Sequence, residues 1–559
     1  MTDADTTYPL PRPAAADAGP LDATFYDLVE DRVRRLVRDN PVLGTALGLH
    51  ERDDELGDGG REALLAELAA ERVHLSAVES IDAAGLSSSA RFERDLELHN
   101  VRRGIFETDT LRTWERRSLA LDTLGDGLFL LFARDHAPLD ERLAAIAGRL
   151  EAAPGHLDEA RTRATVPQVR LWQGIEIETA AELPQFFDEI GAAADDSLAG
   201  PERRRLARAI EAAKVAVELY GAWLEGTLAS GTDDWPIGRA RHDALVDHRA
   251  FDGLDADAIL ELGWEQLARE KAARVAAARE VDPDAPEAEV IDRIKSDQPA
   301  DFDAALVAYR DAMLRARAHL IERDLITIPT DERIDVVPTP EYLRNVVPFA
   351  AYFSPAPFDM HAKGIYIVTP SVGGNVNAMR EHNLASISNT SIHEAYPGHH
   401  LQLDVARRHP SLTRMLADAP EFVEGWGMYS ELMMREHGFD ADARYRVVVH
   451  TDAIWRACRI ILDVRLHRGE IGVEDAIDFM VEHTSFERAN AAAEVKWYTY
   501  RPTYPLSYLL GRTLLLQLRA DESRRLGDDF SLKAFHDTLM TNGSLPISFH
   551  RRLLAGEGR

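Results

Sequence analysis

Residues 25–41 read FYDLVEDRVRRLVRDNP and indicate how most of this chain folds. Apolar residues recur at spacings of three and four from Phe25 to Val37, as they do on the buried face of an amphipathic helix. Pro41 then ends the pattern, because proline cannot donate the next helical hydrogen bond. The segment therefore predicts an α-helix with one face in a hydrophobic core.

The same periodicity returns along the chain, so the sequence predicts a mainly α-helical protein. Similar stretches span 64–75, 143–150, 206–224, 259–278 and 302–321. After about residue 325 two segments rich in β-branched residues, 334–340 and 364–370, predict short strands between turns. We expect a disordered tail over 1–22, a helical N-terminal region over 23–325 and a second helical region over 326–559.

Composition excludes several classes of partner. The 559 residues are 45% hydrophobic and 28% charged, with 64 Lys and Arg against 95 Asp and Glu, a net charge of -31. Such a chain repels nucleic acid and anionic lipid. It begins with acidic residues, unlike a signal peptide, and its longest apolar runs are far below the roughly 20 residues of a membrane span. The sequence predicts a cytoplasmic protein without nucleic-acid or membrane partners and indicates no oligomeric state.

The chain has one cysteine, Cys458. One thiol can make neither an internal disulfide nor a thiolate-rich metal site, so any metal must be held by histidines and carboxylates. We expect Cys458 to be a small buried residue.

The densest group of such side chains is SIHEAYPGHHLQ, residues 391–402. A His-Glu pair alone is expected about twice by chance, but here two further histidines, His399 and His400, follow His393. The usual zinc spacing, His-Glu-x-x-His, fails because position 397 is proline. Pro397 and Gly398 predict a helical bulge that lets His399 take the place of the second ligand, with His400 as its rival.

A third ligand is expected in EFVEGWGMYSELM, residues 421–433. Its carboxylates are Glu421, Glu424 and Glu431. We favour Glu424, because the 25 residues after His399 allow one helix to finish and a second to return beside it.

These segments carry a family resemblance. HEAYPGHHLQ, EGWGMYSE, RACRIILDVRLH, EVKWYTYRPTYPLSYLLG and FHDTLMTNGSLPI resemble the bacterial DUF885 family, whose members are regarded as candidate zinc metallopeptidases. The resemblance runs from roughly residue 25 to the end and is densest between 345 and 548. It implies a large α-helical fold similar to neurolysin-like and Taq-carboxypeptidase-like metallopeptidases, with an active-site channel between helical halves.

The resemblance also implies roles for individual residues. It makes His393, His399 and Glu424 the ligands of Zn²⁺ and Glu394 the general base, so that 326–559 is the catalytic region with the metal site. Family members read like PGQALSY where this chain has PTYPLSY at 502–508, which puts the substrate preference in doubt.

The chemistry then suggests a function and further site residues. A tetrahedral oxyanion needs donors beside the metal, and Tyr508 is the first candidate. We expect the strand at 364–370 to bind an extended peptide by edge pairing. Residues expected to contact substrate are His400, Arg501, Tyr500 and His467.

We therefore expect a zinc-dependent hydrolase, most simply a cytoplasmic metallopeptidase acting on short peptides. Two alternatives stay open: a metal-dependent hydrolase of non-peptide amides or esters, and a non-catalytic helical binding protein. Retention of Glu394 disfavours the second alternative, because a structural metal site has no use for a free carboxylate beside its ligands.

Overall fold

The periodicity of residues 25–41 forms the first helix, α1 (Asp22–Asp39), which buries Phe25, Val29 and Val33 against the core. The structure is a computed structural model that describes the chain except residues 1–8, 14–17, 195–196, 340–343, 345–346, 348, 360–362, 371–377, 485 and 559. The predicted tail therefore lies partly outside the described residues. Within it, Arg12 donates to Asp27 of α1 at 2.8 Å.

The described chain divides into two compact units, Met1–Trp235 with Ala356–His361, and Pro236–Pro355 with Ala362–Arg559. The division does not coincide with the expected boundary at 325, because a change in composition does not report which helices pack together. The helix at Ala256–Val281 looks like its predecessors in sequence but packs along the helix at Ala443–His467.

The first unit is helical. Its remaining helices are α2 (Pro41–Leu47), α3 (Arg61–Ser80), α4 (Ser88–Phe106), α5 (Thr113–Arg116), α6 (Ala120–Ala133), α7 (Leu139–Arg161), α8 (Arg170–Ala193) and α9 (Gly200–Thr227). The predicted stretches 64–75, 143–150 and 206–224 lie within α3, α7 and α9.

The second unit combines helices with one small sheet. The helices are α10 (Arg239–Arg249), α11 (Ala256–Val281), α12 (Glu287–Ser296), α13 (Phe302–Glu322), α14 (Leu384–Glu394), α15 (His399–Ala406), α16 (Leu412–Met415), α17 (Pro420–Glu436), α18 (Ala443–His467), α19 (Val473–Thr484), α20 (Arg488–Tyr498), α21 (Ser507–Leu526), α22 (Leu532–Thr541) and α23 (Ile547–Leu554). The predicted mainly α-helical class is confirmed.

The sheet has three described strands, β1 (Ile334–Pro338), β2 (Ala350–Phe353) and β3 (Gly364–Val368). β3 lies in the middle, parallel to β1 and antiparallel to β2. The sequence predicted β1 and β3 but missed β2, which is only four residues long. Edge pairing of a peptide with β3 was a wrong expectation, because both of its edges are already hydrogen-bonded to neighbouring strands.

Helix packing within the second unit places the metal-capable residues. α17 packs against α14, α15 and α21, and α18 packs against α11 and α14. Cys458 lies buried in α18, as expected, and burial raises the pKa of its thiol to about 12. Among the described residues, no helix combines the length and hydrophobicity that crossing a membrane requires.

Candidate metal centre

The helix is interrupted between His393 and His399, and both side chains face the same point. α14 ends at Glu394 and α15 begins at His399, so the predicted bulge is instead a break between two helices. Gly398 makes the break possible: a Cβ there would lie 1.8 Å from the carbonyl oxygen of His393. Trp426 of α17 holds the break in place, since its indole N–H donates to the carbonyl of Pro397 at 2.8 Å.

His393, His399 and Glu424 bring their ligand atoms together, all within 4.8 Å of one another. Oε2 of Glu424 lies 3.8 Å from Nε2 of His393 and 3.4 Å from Nε2 of His399. Ligand atoms about 2.0–2.1 Å from a tetrahedral zinc lie roughly 3.3–3.4 Å apart, so small shifts would close this set around the ion.

The orientation of the two rings also suits a metal. The planes of His393 and His399 are perpendicular, at 88°, with centroids 4.7 Å apart. A metal lies in the plane of each imidazole that binds it, and perpendicular rings allow both in-plane lone pairs to converge. His393, His399 and Glu424 therefore fit Zn²⁺ in donor type, spacing and orientation.

A hydrogen bond outside the ligand set orients His393. Its Nδ1 lies 2.7 Å from Oε1 of Glu431, whose other oxygen accepts from the amide of Asn389 at 3.0 Å. With Nδ1–H donating to Glu431, Nε2 keeps its lone pair for a metal. The same amide of Asn389 also donates to Asp452 at 2.9 Å. Asn389 was not predicted, since a lone helical asparagine gives no signal in the sequence.

Small residues of α17 make room for the site. A Cβ at Gly427 would lie 2.6 Å from Cε1 of His393, so that ring rests directly on the helix backbone. A Cβ at Gly425 would lie 2.6 Å from Gly511 of α21, so these two helices meet backbone to backbone. The two glycines of EGWG thus allow two different close contacts. Gly425 contacts α21, and Gly427 contacts the ring of His393.

The electrostatics favour a cation at this point. Burial alone would lower the pKa of His393, but hydrogen bonds with Glu424 and Glu431 outweigh it and raise the pKa to about 10. Burial would raise the pKa of Glu424, but hydrogen bonds with His393 and His399 lower it far below its ordinary value. Without a metal, the carboxylates of Glu424 and Glu431 therefore stabilise the protonated form of His393. A divalent cation at the same point would neutralise more of their negative charge.

Glu394, the expected base, ends α14 beside the ligands. Burial raises the pKa of its carboxyl group, while the positive charges of His399 and His393 oppose the rise. A carboxylate with a raised pKa next to a metal site is a better proton acceptor than one with an ordinary pKa.

Tyr504 and Tyr508 both interact with the candidate ligand Glu424. The hydroxyl of Tyr504 donates to Oε1 of Glu424 at 3.0 Å. Burial, and then the negative charge of Glu424, raise the pKa of Tyr508 well above its ordinary value. Tyr508 was predicted from the sequence and Tyr504 was not, although Tyr504 lies where the chain departs from the family's PGQALSY pattern.

Other predicted residues lie elsewhere. His400 is buried, with Nε2 2.9 Å from Glu332 and Nδ1 3.0 Å from the hydroxyl of Tyr352. His467 is also buried, with Nε2 2.9 Å from the carbonyl of Tyr498, and burial lowers its pKa to about 4. Both rings lie in the core, where direct contact with a substrate would require rearrangement.

Tyr500 and Arg501 follow α20. Arg501 is exposed, and its guanidinium carbon lies 6.0 Å from the centroid of the Tyr500 ring. Their role in binding substrate stays a prediction.

The first unit holds a second group of metal-capable residues, His50, Asp53 and His136. This group was not predicted from the sequence, because only the fold brings His136 to His50. The two rings are stacked at 3.8 Å with an angle of 3°. A metal between stacked rings would lie out of both ring planes, so this geometry does not suit shared coordination.

Comparisons with known proteins bear on the fold. The DUF885 family, described as bacterial protein of unknown function, matches residues 41–554. No curated protein matches the chain. Two solved structures are similar over nearly their whole length. One is a presumed lipoprotein of unknown function from Shewanella oneidensis, with 22% identity and a TM-score of 0.78, covering 97% of this chain and 100% of that chain.

The other is a presumed lipoprotein from Colwellia psychrerythraea, with 18% identity and a TM-score of 0.82, covering 96% of this chain and 98% of that chain. At these identities the likeness establishes a shared fold and leaves the activity to be argued from the residues.

Proposed function

We propose that this chain, which belongs to the DUF885 family of bacterial proteins of unknown function, is a zinc-dependent hydrolase that cleaves short peptides. One observation carries the proposal: His393, His399 and Glu424 converge on one point, with the carboxylate of Glu394 beside them. A structural site would use a fourth protein ligand, whereas three ligands and a free carboxylate are typical of catalytic zinc.

The protein's own residues would divide the work of hydrolysis. Zinc, when bound, supplies a Lewis acid that polarises a carbonyl and lowers the pKa of water toward 7. Glu394 takes the proton of the attacking water and passes it to the leaving nitrogen as the C–N bond breaks. Tyr508 would donate a hydrogen bond as negative charge develops on the carbonyl oxygen, while the hydroxyl of Tyr504 holds Glu424.

Metal content and turnover test the proposal together. We expect about one zinc per chain by elemental analysis, and loss of that zinc in His393→Ala. The matched control is His50→Ala, which should keep the full zinc content because the stacked cluster in the first unit does not bind the ion. Zinc-free wild-type protein after purification with zinc present would contradict the proposal.

Cleavage of a mixed peptide library gives the second readout. Glu394→Gln should keep its zinc and lose at least a hundredfold in kcat, since general-base catalysis contributes about 10²–10⁴-fold. Hydrolysis of small amides or esters without cleavage of any peptide would instead support the non-peptide alternative. Zinc binding without any turnover would support a binding protein.

The location of the protein is a separate proposal. A cytoplasmic location was expected from the acidic N-terminus and the short apolar runs, but both similar structures are described as presumed lipoproteins, which favours an anchored or exported protein. Fractionation of cells into membranes, exported fraction and cytosol distinguishes these, because an anchored protein sediments with membranes, an exported one leaves the cytosol and a cytoplasmic one stays in it.

A further inference from the structure

Two arginines of α18, Arg456 and Arg459, lie one helical turn apart beside the candidate metal centre. Their guanidinium carbons lie 3.8 and 4.4 Å from the ring centroid of Trp455, and 6.0 and 4.6 Å from that of Tyr508. Tyr508 thus contacts the arginine pair on one side and interacts with Glu424 on the other. Burial, and then the negative charge of Glu424, raise the pKa of the Tyr508 hydroxyl.

Each guanidinium keeps an unused donor. Arg459 binds Glu494 at 2.8 Å, but its Nη1 is buried without a hydrogen-bond partner among the described residues, and its side chain is only 6% exposed. Nε of Arg456 is likewise buried and has no partner in the described part of the chain. A guanidinium offers five N–H donors, so a buried unsatisfied one is a ready place for an acceptor.

Arg456 is the less engaged of the two. Its Nη1 lies 3.5 Å from both the carbonyl and Oδ1 of Asp452, whereas charge-assisted bonds are about 2.7–2.9 Å long.

The carboxylates around Arg456 have other partners. Glu431 is bound by His393 and Asn389, and Asp452 also accepts from Asn389. Glu494 is bound by Arg459.

Arg456 also lies near the reacting groups. Its positive charge lowers the pKa of Glu394, although burial, the largest effect, raises it. Its side chain is 14% exposed, so part of it reaches solvent, as do the side chains of His399 and Glu424 at 12%.

We infer that Arg456, with Arg459 beside it, binds a carboxylate of the substrate next to the bond that is cleaved. This inference rests on the proposed function and narrows it: the enzyme prefers peptides with a negative charge close to the scissile bond. That charge is the main-chain carboxylate if cleavage is at the C-terminus, or an aspartate or glutamate side chain if it is internal.

Binding measurements separate this inference from catalysis. Zinc-loaded Glu394→Gln protein is titrated by calorimetry with a tripeptide bearing a free carboxylate and with its C-terminal amide. We expect the free acid to bind at least tenfold more tightly, and Arg456→Gln to reduce the preference below twofold. The matched control is Arg446→Gln on the same helix, which pairs with Glu280 and should leave the preference intact.

A second pair of amidated peptides, with glutamate or glutamine next to the central bond, identifies the source of the charge. A preference between acid and amide assigns the main-chain carboxylate, and a preference for glutamate assigns the side chain. Arg456→Lys keeps the charge without the forked donors and should give an intermediate preference, which covers the case in which Arg456→Gln does not fold.

Equal affinities in both pairs, or a preference unchanged in Arg456→Gln and Arg456→Lys, would overturn the inference. Cleavage at equal rates within both pairs, acid against amide and glutamate against glutamine, by wild-type enzyme would reject the inference but keep the proposed function. The affinity ratio is read without turnover, so a protein that cleaves no peptide would refute the proposed function while this ratio still decides the inference.

Discussion

The choice between two adjacent histidines decides the metal centre. His399 joins His393 and Glu424, whereas His400 points to Glu332 and Tyr352. Adjacent residues at the start of a helix point about 100° apart, so only one of them can face the site.

We predict that His399→Ala loses its zinc while His400→Ala retains it. The first change removes a ligand, and the second leaves the three-residue set intact. Elemental analysis after dialysis, with circular dichroism to check folding, gives the result. Retention of zinc by His399→Ala together with its loss from His400→Ala would reverse the ligand assignment.

A second prediction concerns Gly427, on which the ring of His393 rests. The methyl group in Gly427→Ala would displace that ring. We therefore expect zinc affinity to fall by about 10–100-fold, the loss that is typical when a residue that orients a metal ligand is mutated. Competition with a chelator measures this. The control is Gly174→Ala in α8, which meets no atom within 4 Å and should raise stability by about 0.5–1 kcal/mol.

Helix α17 is the element on which the site is built. It carries the candidate ligand Glu424, the hydrogen-bond partner Glu431 of His393, and Trp426, which donates to the segment between α14 and α15. Its close packing on α21 sets its position, because Gly425 and Gly511 allow the two backbones to touch.

We predict that Gly511→Ala destabilises the protein by about 3 kcal/mol or more, since overpacking a close backbone contact forces the helices apart. Its Cβ would lie 1.9 Å from the carbonyl oxygen of Glu421. Urea unfolding of metal-free protein measures the change. Gly226→Ala in α9, where nothing lies within 4 Å, is the control, and equal stabilities of the two variants would contradict the packing.

The whole molecule should be acid-labile, because several histidines are buried in the neutral form. Burial lowers the pKa of His409, His467 and His536 to about 4 and that of His550 to about 3. Below pH 6.5 the unfolded chain takes up these protons and the folded chain does not. The free energy of unfolding therefore falls as the pH drops from about 6.5 toward 3.

His550 offers a clean test, since both of its ring nitrogens are buried without hydrogen-bond partners among the described residues and its ring lies 4.2 Å from that of Phe422. We predict that His550→Phe is close to wild type in stability at pH 7.5 but about 3 kcal/mol more stable than wild type at pH 4.5. Urea unfolding of metal-free protein at both pH values measures the difference. A difference that does not depend on pH would contradict a neutral buried His550.

Local pattern was enough to predict the helical class, the strands β1 and β3, and the side chains that could hold a metal. Helical periodicity depends on neighbours within a few residues, and a single cysteine restricts the ligands to histidine and carboxylate. Glu424 was also named from sequence, because a helix returning after 25 residues is a geometric constraint.

Only the tertiary structure decided the rest. Packing of distant segments brings Glu431 within hydrogen-bonding distance of His393 and Tyr504 within that distance of Glu424, and it stacks His136 on His50. It also makes β3 the central strand of its sheet. None of these has a local signal, because each depends on which surfaces meet when helices pack. The sequence determined which groups could bind a metal, and packing decided which of them share a point in space.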